Sequence, residues 1–518
     1  MKRDGQTISL WQDGTPSYNA TIHELPSEAD VVIVGGGITG LSTALKLQRA
    51  GKVCVLLEAQ EIGFGTTGGT TAHLNTILDT PYYEIKNHFG ENNAKKVAQL
   101  TKEVIELVER NVEEYSIDCG FSRKQAYIFS QDKDQSTELD RIVTGTKAVG
   151  INIQYSASLP IPVPFESAAA AEGQSQMHII KYLYGIAHEF ERAGGKIIQN
   201  CRVKDSVNKN DETLLITSKG KIKAQYVVYA THIPPGINIL HFRCAPYRSY
   251  AMAVKLKGEN YPDALIYDLY SPYHYYRTQE INGIRYLIVG GEDHKSAHTE
   301  NTHYSFIKLE TYIRRYFDVD TVPFQWSSQF FESVDGLPYI GHLPGNPENI
   351  FVATGFGGNG ITYGIASSII LADIICNGTS DYKELFNPNR VKLVAGFENF
   401  VKEATDVVGV FIGRRFGIKE IEDTVELAKG EAKIVKYEGT SLAIYKDEAG
   451  KLFALNPSCP HTKCVIGWNN AEKSWDCPCH GSRFSITGEV LTAPATRNLV
   501  KIDLSHLGKT HNKSNEQQ

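Results

Sequence analysis

"ADVVIVGGGITGLSTALKLQRAGKVCVLLEA", residues 29–59, decides the fold of the larger part of this chain. Val31–Val34 is β-branched and wholly apolar, the pattern of a strand buried on both faces in a parallel sheet. Gly35, Gly37 and Gly40 follow as G-x-G-x-x-G. The first glycine permits a tight turn, the second lets backbone approach a pyrophosphate, and the third lets the next helix pack closely. That helix, opening with Ile38 and Thr39, presents its N-terminal N–H groups to phosphate oxygens. A second apolar strand ends at Glu58-Ala59, where a carboxylate meets a ribose hydroxyl. An acidic residue there argues against a 2′-phosphate. Together these features specify a dinucleotide site without separating FAD from NAD.

Working outward, "KIKAQYVVYATHIPPG" contains a strand ending at Ala230-Thr231. "NIFVATGFGGNGITYGIASSIILADII" joins an apolar strand, a glycine turn and a long apolar helix. Gly355, Gly357 and Gly360 repeat G-x-G-x-x-G, but no carboxylate closes a following strand. Its helix start therefore suits a flavin ring or ribityl chain better than a second dinucleotide.

With "VVIVGGGITGLSTALKL", Glu58, "VVYAT", "DGLPYIG" and "ATGFGGNGIT" in place, residues 30 to 390 resemble the D-amino-acid oxidase type of FAD-dependent oxidoreductase. That family includes amine, sarcosine and glycine oxidases. The resemblance implies an α/β, Rossmann-like FAD-binding domain built from about 29–77, 166–235 and 333–390. An α+β substrate domain would fill 78–165 and 236–332. It puts Val203 near the adenine, and Gly357, Gly358, Asn359, Gly360, Ile361 and Thr362 along the isoalloxazine and ribityl chain.

Candidate chemistry lies in three stretches. "EIGFGTTGGTTAHLN" (Glu61–Asn75) offers Thr66 and Thr67 to phosphate or ring. Its His73 resembles the histidine through which dimethylglycine dehydrogenases attach FAD covalently; a flavin or substrate contact and a structural role are the alternatives. "LIYDLYSPYHYYRTQ" (Leu265–Gln279) reads either as core tyrosines or as an aromatic pocket for a cationic amine. Within it Tyr275 and Arg277 are candidate catalytic residues, Arg277 serving a substrate carboxylate or a surface ion pair. "GGEDHKSAHTE" (Gly290–Glu300) raises a 2-His-1-carboxylate iron site on His294, His298 and a neighbouring acid.

"CPHTKC" (459–464) and "CPCHGSRF" (477–484) gather four of the nine cysteines. Cys459, His461, Cys477 and His480 make C-x-H…C-x₂-H, two thiolates and two imidazoles suited to a [2Fe–2S] cluster. The pattern resembles a Rieske domain, a small all-β fold running from about 418 to 507. In respiratory and photosynthetic Rieske proteins the two extra cysteines form a disulfide, which implies a Cys464–Cys479 bond. Those proteins also carry a serine and a tyrosine that raise the potential. Ser482 is present, but Phe484 stands at the tyrosine position, so a milder potential is expected.

The 518 residues exceed one hydrophobic core. A net charge of −6 gives no electrostatic case for nucleic acid. The start of the chain lacks a signal-type apolar region, and no run of 18 apolar residues marks a membrane span. A reducing cytoplasm is therefore expected, with Cys54, Cys119, Cys201, Cys244 and Cys376 as buried free thiols. Residues 1–28 form an N-terminal extension, 391–417 a linker helix, and 508–518 a disordered tail. A two-electron flavin fused to a one-electron cluster suggests oxidation of a C–N bond of an amine or amino acid. Electrons would leave singly through the cluster, with His461 and His480 at its exposed edge, to an external acceptor. The alternatives are a flavin reductase fed by an external donor through the Rieske domain, and an electron carrier within a larger complex.

Overall fold

The computed structural model describes residues 3–209, 212–390, 427–437 and 439–504. The expected linker helix at 391–417, the start of the Rieske domain and the tail at 508–518 lie outside the described residues.

The strand Glu28–Val34 sits centrally in a sheet of eight strands. It pairs in parallel with Cys54–Leu57 on one side and Gly220–Tyr229 on the other. Lys196–Ile198 and Ile350–Thr354 extend the parallel run outward. All four residues of Val31–Val34 are buried, as a strand covered on both faces requires. The helices Ile38–Arg49 and Gly360–Asn377 cross closely, because Gly364 has no side chain: a Cβ there would meet Thr39 Oγ1 at 2.7 Å. Gly360–Asn377 is long and apolar enough to cross a membrane by length and composition, yet it is largely buried in the protein core.

A second sheet of nine strands stands beside the first. Its order is Val319–Ser333, Cys244–Leu256, Ile284–Lys295, His274–Ile281, Leu265–Asp268, Ser122–Ser130, Ser167–Gln176 and His73–Leu74, with Ile153–Ser156 paired off this path. Neighbours are antiparallel except Leu265–Asp268 against Ser122–Ser130. Two stretches expected in the cofactor domain belong here instead. Ser167–Gln176 pairs with Ser122–Ser130, and His73–Leu74 pairs with Gln176 and Ser175. The alanine-rich run Ala168–Ala171 carries no periodic signal, so long-range pairing alone settles its sheet.

The C-terminal part is all β. It holds a three-stranded sheet (Ala432–Tyr437, Thr440–Lys446, Leu452–Leu455) and a four-stranded sheet (Gly467–Asn469, Ser474–Asp476, Arg483–Phe484, Val490–Thr492). Of the five scattered cysteines four are buried, but Cys376 is exposed, because it lies in the last turn of its helix.

The N-terminal extension is woven into the fold. Trp11 is fully buried and donates to Thr70 O, while Ser9 Oγ donates to Gly68 O. Asp4 accepts from Arg483 Nη1 at 2.8 Å, and Arg483 Nε reaches Asp476 at 3.2 Å. Arg248 Nη2 lies 3.5 Å from Asp476. Glu472 accepts from the Ser327 and Gln6 N–H groups and stands 3.7 Å from Arg3. Three cations and three anions thus share one buried site, none of their side chains more than 5% exposed. Burial pushes the Asp476 carboxyl up, but Arg483, Arg248 and bonds from Asn469 and Ser474 hold it below the usual carboxylate range.

Arg483→Met removes the nearest cation of both buried acids, leaving Asp4 with Arg3 and Asp476 with Arg248, each at 3.5 Å. Such breaks cost about 3–5 kcal/mol, so the urea midpoint followed by circular dichroism should fall sharply. An unchanged midpoint would show that the network does not bind the domains.

Candidate functional site

A cavity of about 700 Å³ runs between the two large sheets and reaches the C-terminal domain. At one end Glu58 accepts from Gly36 N–H at 2.7 Å and Gln60 N–H at 2.8 Å. Arg202 and Val203 form the facing wall. Burial raises the Glu58 carboxyl, and the backbone bonds oppose that rise. Gly35, Gly37, Ile38, Thr39, Ala59, Thr66, Thr67, Ala230 and Thr231 continue the lining, followed by Gly357, Gly358, Asn359, Gly360 and Ile361. Two of the expected residues stand behind it. A Cβ on Gly40 would lie 1.9 Å from Gly35 O, so this glycine closes the turn on its helix. Thr362 is buried and donates to Asn75 O at 3.3 Å.

The residues present fit FAD. Two helix starts, at Ile38 and Gly360, open on the same cavity; neither N-cap residue supplies a side-chain bond, and Ile38 N–H donates to Thr67 Oγ1 at 3.1 Å. Helix starts with a favourable dipole suit a pyrophosphate and a polarised ring.

Beyond Gly357–Ile361 the cavity is lined by His73, Asn75, Asp79, Tyr267, Tyr270, Tyr273, Tyr275 and Asp293. The His73 Nδ1 lies 2.7 Å from the Tyr267 hydroxyl, and its Nε2 is buried without a partner. Burial, with Arg277 nearby, holds this imidazole neutral. Tyr275 OH is 2.9 Å from Ser249 Oγ, and burial keeps the phenol protonated. Both expectations for the tyrosine-rich stretch hold in part. Tyr275 faces the cavity, whereas the next residue, Tyr276, packs into the core and bonds Tyr312. Alternation along the strand separates them.

Arg277 is neither a carboxylate clamp at the cavity nor a surface ion pair. It is fully buried, and Nη1 donates to the Thr71, Ala72 and Met177 carbonyls while Nη2 donates to Gln279. Its guanidinium lies 5.2 Å from the Trp11 ring centre. It braces the loop that carries His73. The 2-His-1-carboxylate grouping also fails. His294 bonds Tyr250 OH at 2.8 Å and Lys295 O at 2.9 Å, and the exposed His298 bonds Ser296 O. Asp293 points instead to the cavity, with Ser249 as a hydrogen-bond partner and a buried, unpartnered Oδ1. Burial raises its carboxyl to about 8, and raises Asp79, which accepts from Gly358 N–H, to about 6. The sequence carries no motif around Asp79, and Asp293 was legible only as a possible metal ligand.

At the C-terminal tip two loops meet. Cys459 N–H donates to Cys464 O at 2.8 Å, and Cys477 N–H to Ser482 O at 2.8 Å. Cys464 and Cys479 are joined by a disulfide that ties the loops together. The Cys477 thiol donates to the Cys459 sulfur, which pulls Cys459 down to about 7 and pushes Cys477 up. The His461 and His480 rings are 4.9 Å apart, and three of their four nitrogens are buried without partners. Burial holds both imidazoles neutral. Two sulfurs in contact and two neutral, orphaned imidazoles fit a [2Fe–2S] cluster.

The histidines are not at an exposed edge. The His241 ring lies 4.7 Å from His461 and 5.9 Å from His480, and Phe242 lies 5.1 Å from His480. Gly236 N–H donates to Pro494 O at 3.0 Å, Gln329 to Gly481 O at 2.8 Å, and Arg202 to Val490 O at 3.0 Å. Leu491, Thr492, Ala493, Ala495 and Thr496 complete the cavity wall. His461 and His480 thus face the flavin-type domain, a contact between distant segments that no local pattern announces.

Residues 30–374 match the family described as FAD dependent oxidoreductase, and 418–503 match the Rieske [2Fe-2S] domain. The chain is 30% identical over 503 residues to YhfW of Bacillus subtilis, named for a Rieske 2Fe-2S iron-sulfur protein, covering 96% of this chain and 97% of that one. It is 23% identical over 362 residues to gamma-glutamylputrescine oxidoreductase of Escherichia coli, covering 67% and 83%. Among solved structures it resembles glycine oxidase from Geobacillus kaustophilus, with a TM-score of 0.59 and 18% identity, covering 71% of this chain and all of that one.

Ser482 Oγ is bonded to the Cys459 sulfur, while Phe484 is buried beside both ligand cysteines. A hydrogen bond to a charged group is worth about 1.5–3 kcal/mol, and a tenfold shift is about 59 mV for one electron. Ser482→Ala should therefore lower the potential by up to roughly 130 mV, and Phe484→Tyr should raise it, both read by protein-film voltammetry. Opposite signs would remove Ser482 and Phe484 as the tuning positions.

Proposed function

This chain belongs to the FAD dependent oxidoreductase family and carries a C-terminal Rieske domain, and from that premise we propose that it oxidises a C–N bond of an amine or amino acid and passes the electrons singly through the cluster to an external acceptor. FAD supplies two-electron acceptance when bound, and the [2Fe–2S] cluster supplies one-electron transfer. The reading is supported by relatives that act on amines and by amino-acid oxidases of the same fold.

One observation carries it. The segment from Thr231 to Phe242 forms cavity wall at its start, through Thr231, His232, Ile233 and Pro235. At its end His241 and Phe242 pack on the cluster histidines. His241 Nε2 lies 2.8 Å from Pro234 O, which folds the segment back on itself. The two cofactor sites therefore share one short segment of chain. His461 and His480 mark the inlet of the cluster rather than its outlet. An external acceptor would meet the other side of the first loop, where Lys463 is exposed.

At the substrate end we assign His73 and Tyr275 to positioning the reacting amine. His73 offers a neutral imidazole with a free Nε2, and Tyr275 offers a hydroxyl that stays protonated. Asp293 Oδ1 is the atom that can hold or release a proton near neutral pH.

Anaerobic mixing of the holoprotein with an amine and amino-acid panel tests this. The flavin absorbance should bleach first, followed by the reduced-cluster EPR signal. Cluster and flavin reduction only by a partner protein, with no response to any panel member, would favour the reverse flow and sink the proposal.

A further inference from the structure

The substrate half of the cavity is built from carboxylates and phenols. Asp79, Glu84, Glu138 and Asp293 line it together with Tyr267, Tyr270, Tyr273 and Tyr275. Among the described lining residues the one guanidinium or ammonium group is Arg202, at the Glu58 end, where it donates to Val490 O. The two lining histidines, His73 and His232, are held neutral by burial. Arg277, the residue nearest in sequence to a carboxylate clamp, spends its donors on the carbonyls of the His73 loop. A substrate carboxylate would find no cation here and would face Asp293 and Asp79 directly.

Resting on the C–N oxidation reading, we infer that the substrate is a cationic amine without a free carboxylate, its ammonium group paired with Asp293 and Asp79 inside the tyrosine shell. The buried, unpartnered Asp293 Oδ1 supplies the acceptor, and the surrounding ring faces supply cation–π attraction. Tyr83 OH bonds both Glu84 and Glu138. Glu84, beside a Glu138 that also stands 3.7 Å from the exposed Arg141, gives the cavity a second anionic point, suited to the far amine of a diamine.

The electrostatics agree with this geometry. Burial first, then Asp79, Glu332 and Glu292, raise Asp293, with Tyr273 and Tyr275 as its phenolic neighbours. An arriving cation favours the ionised form. Binding therefore expels a proton from Asp293 below about pH 8, and affinity for the cation rises as the pH climbs toward that value.

Calorimetric titration of the FAD-loaded protein with putrescine, glycine and L-proline, combined with anaerobic flavin spectra, tests this. Putrescine should bind at least about tenfold more tightly than either amino acid, with release of close to one proton at pH 7. Asp293→Asn should weaken putrescine by a similar factor and abolish proton release while retaining FAD; Asp79→Asn should weaken it too. Tighter binding and bleaching by glycine or L-proline would overturn the cationic-amine inference and leave C–N oxidation standing. Putrescine binding with no bleaching by any amine would do the reverse. Absence of binding by putrescine would overturn the inference outright.

Discussion

Six charged side chains buried in one place hold this molecule together. Arg483 reaches Asp4 and Asp476, Arg248 reaches Asp476, and Arg3 reaches Glu472. Ions stripped of water are costly, and their mutual attraction offsets the cost only when geometry and hydrogen bonding are complete. Here Ser327, Ser474 and Asn469 bond the carboxylates, while Arg248 Nε and Nη2 are left without a hydrogen-bond partner. The residues come from the chain start, the second sheet and the C-terminal domain. Each charge therefore demands that the others be in place, so one docking geometry is selected over sliding alternatives. An apolar interface of the same size would bind with less orientation.

That fixed docking gives the cluster loops their setting. Gln329 and Gly236 bond backbone of the C-terminal domain, and the imidazoles of His461 and His480 are packed under His241 and Phe242. The cavity wall is likewise composite, since Arg202 and residues 491–496 meet along it. Flavin-type and Rieske parts are therefore not independent modules on a tether. Each contributes surface that the other's site needs.

Much of this was legible in advance because it rests on short-range constraints. A tight turn, a close helix and a ribose carboxylate need residues at set spacings, and Gly35, Gly37, Gly40 and Glu58 stand there. Metal ligands obey similar rules, so Cys459, His461, Cys477 and His480 read as the candidate ligand set, and the Cys464–Cys479 bond followed from resemblance. What escaped depended on where a strand lies or which way a side chain turns. Local sequence offers Arg277 as a carboxylate clamp or a surface ion pair, because a guanidinium suits either. Only the fold shows three carbonyls converging on it. The cluster histidines were expected at the surface because nothing local reveals the surface that covers them. Asp79 and Asp293 carry no motif; their significance comes wholly from desolvation in a cavity assembled by distant strands.

The N-terminal strap has a bearing on biosynthesis. Chains emerge and fold from their N-terminal end, yet Asp4 finds Arg483, and Gln6 finds Glu472, near the other end. Loop 63–70, which Asp4, Ser9 and Trp11 support, can take its local shape early. Its last clasp, and the stretch 491–496 that closes the cavity, arrive only after the intervening chain of both large sheets has been made. Nascent chains on the ribosome thus lack a sealed dinucleotide site. A chain stopped before residue 483 would hold Asp4 without the Arg483 guanidinium and a cavity open on the side that residues 491–496 close.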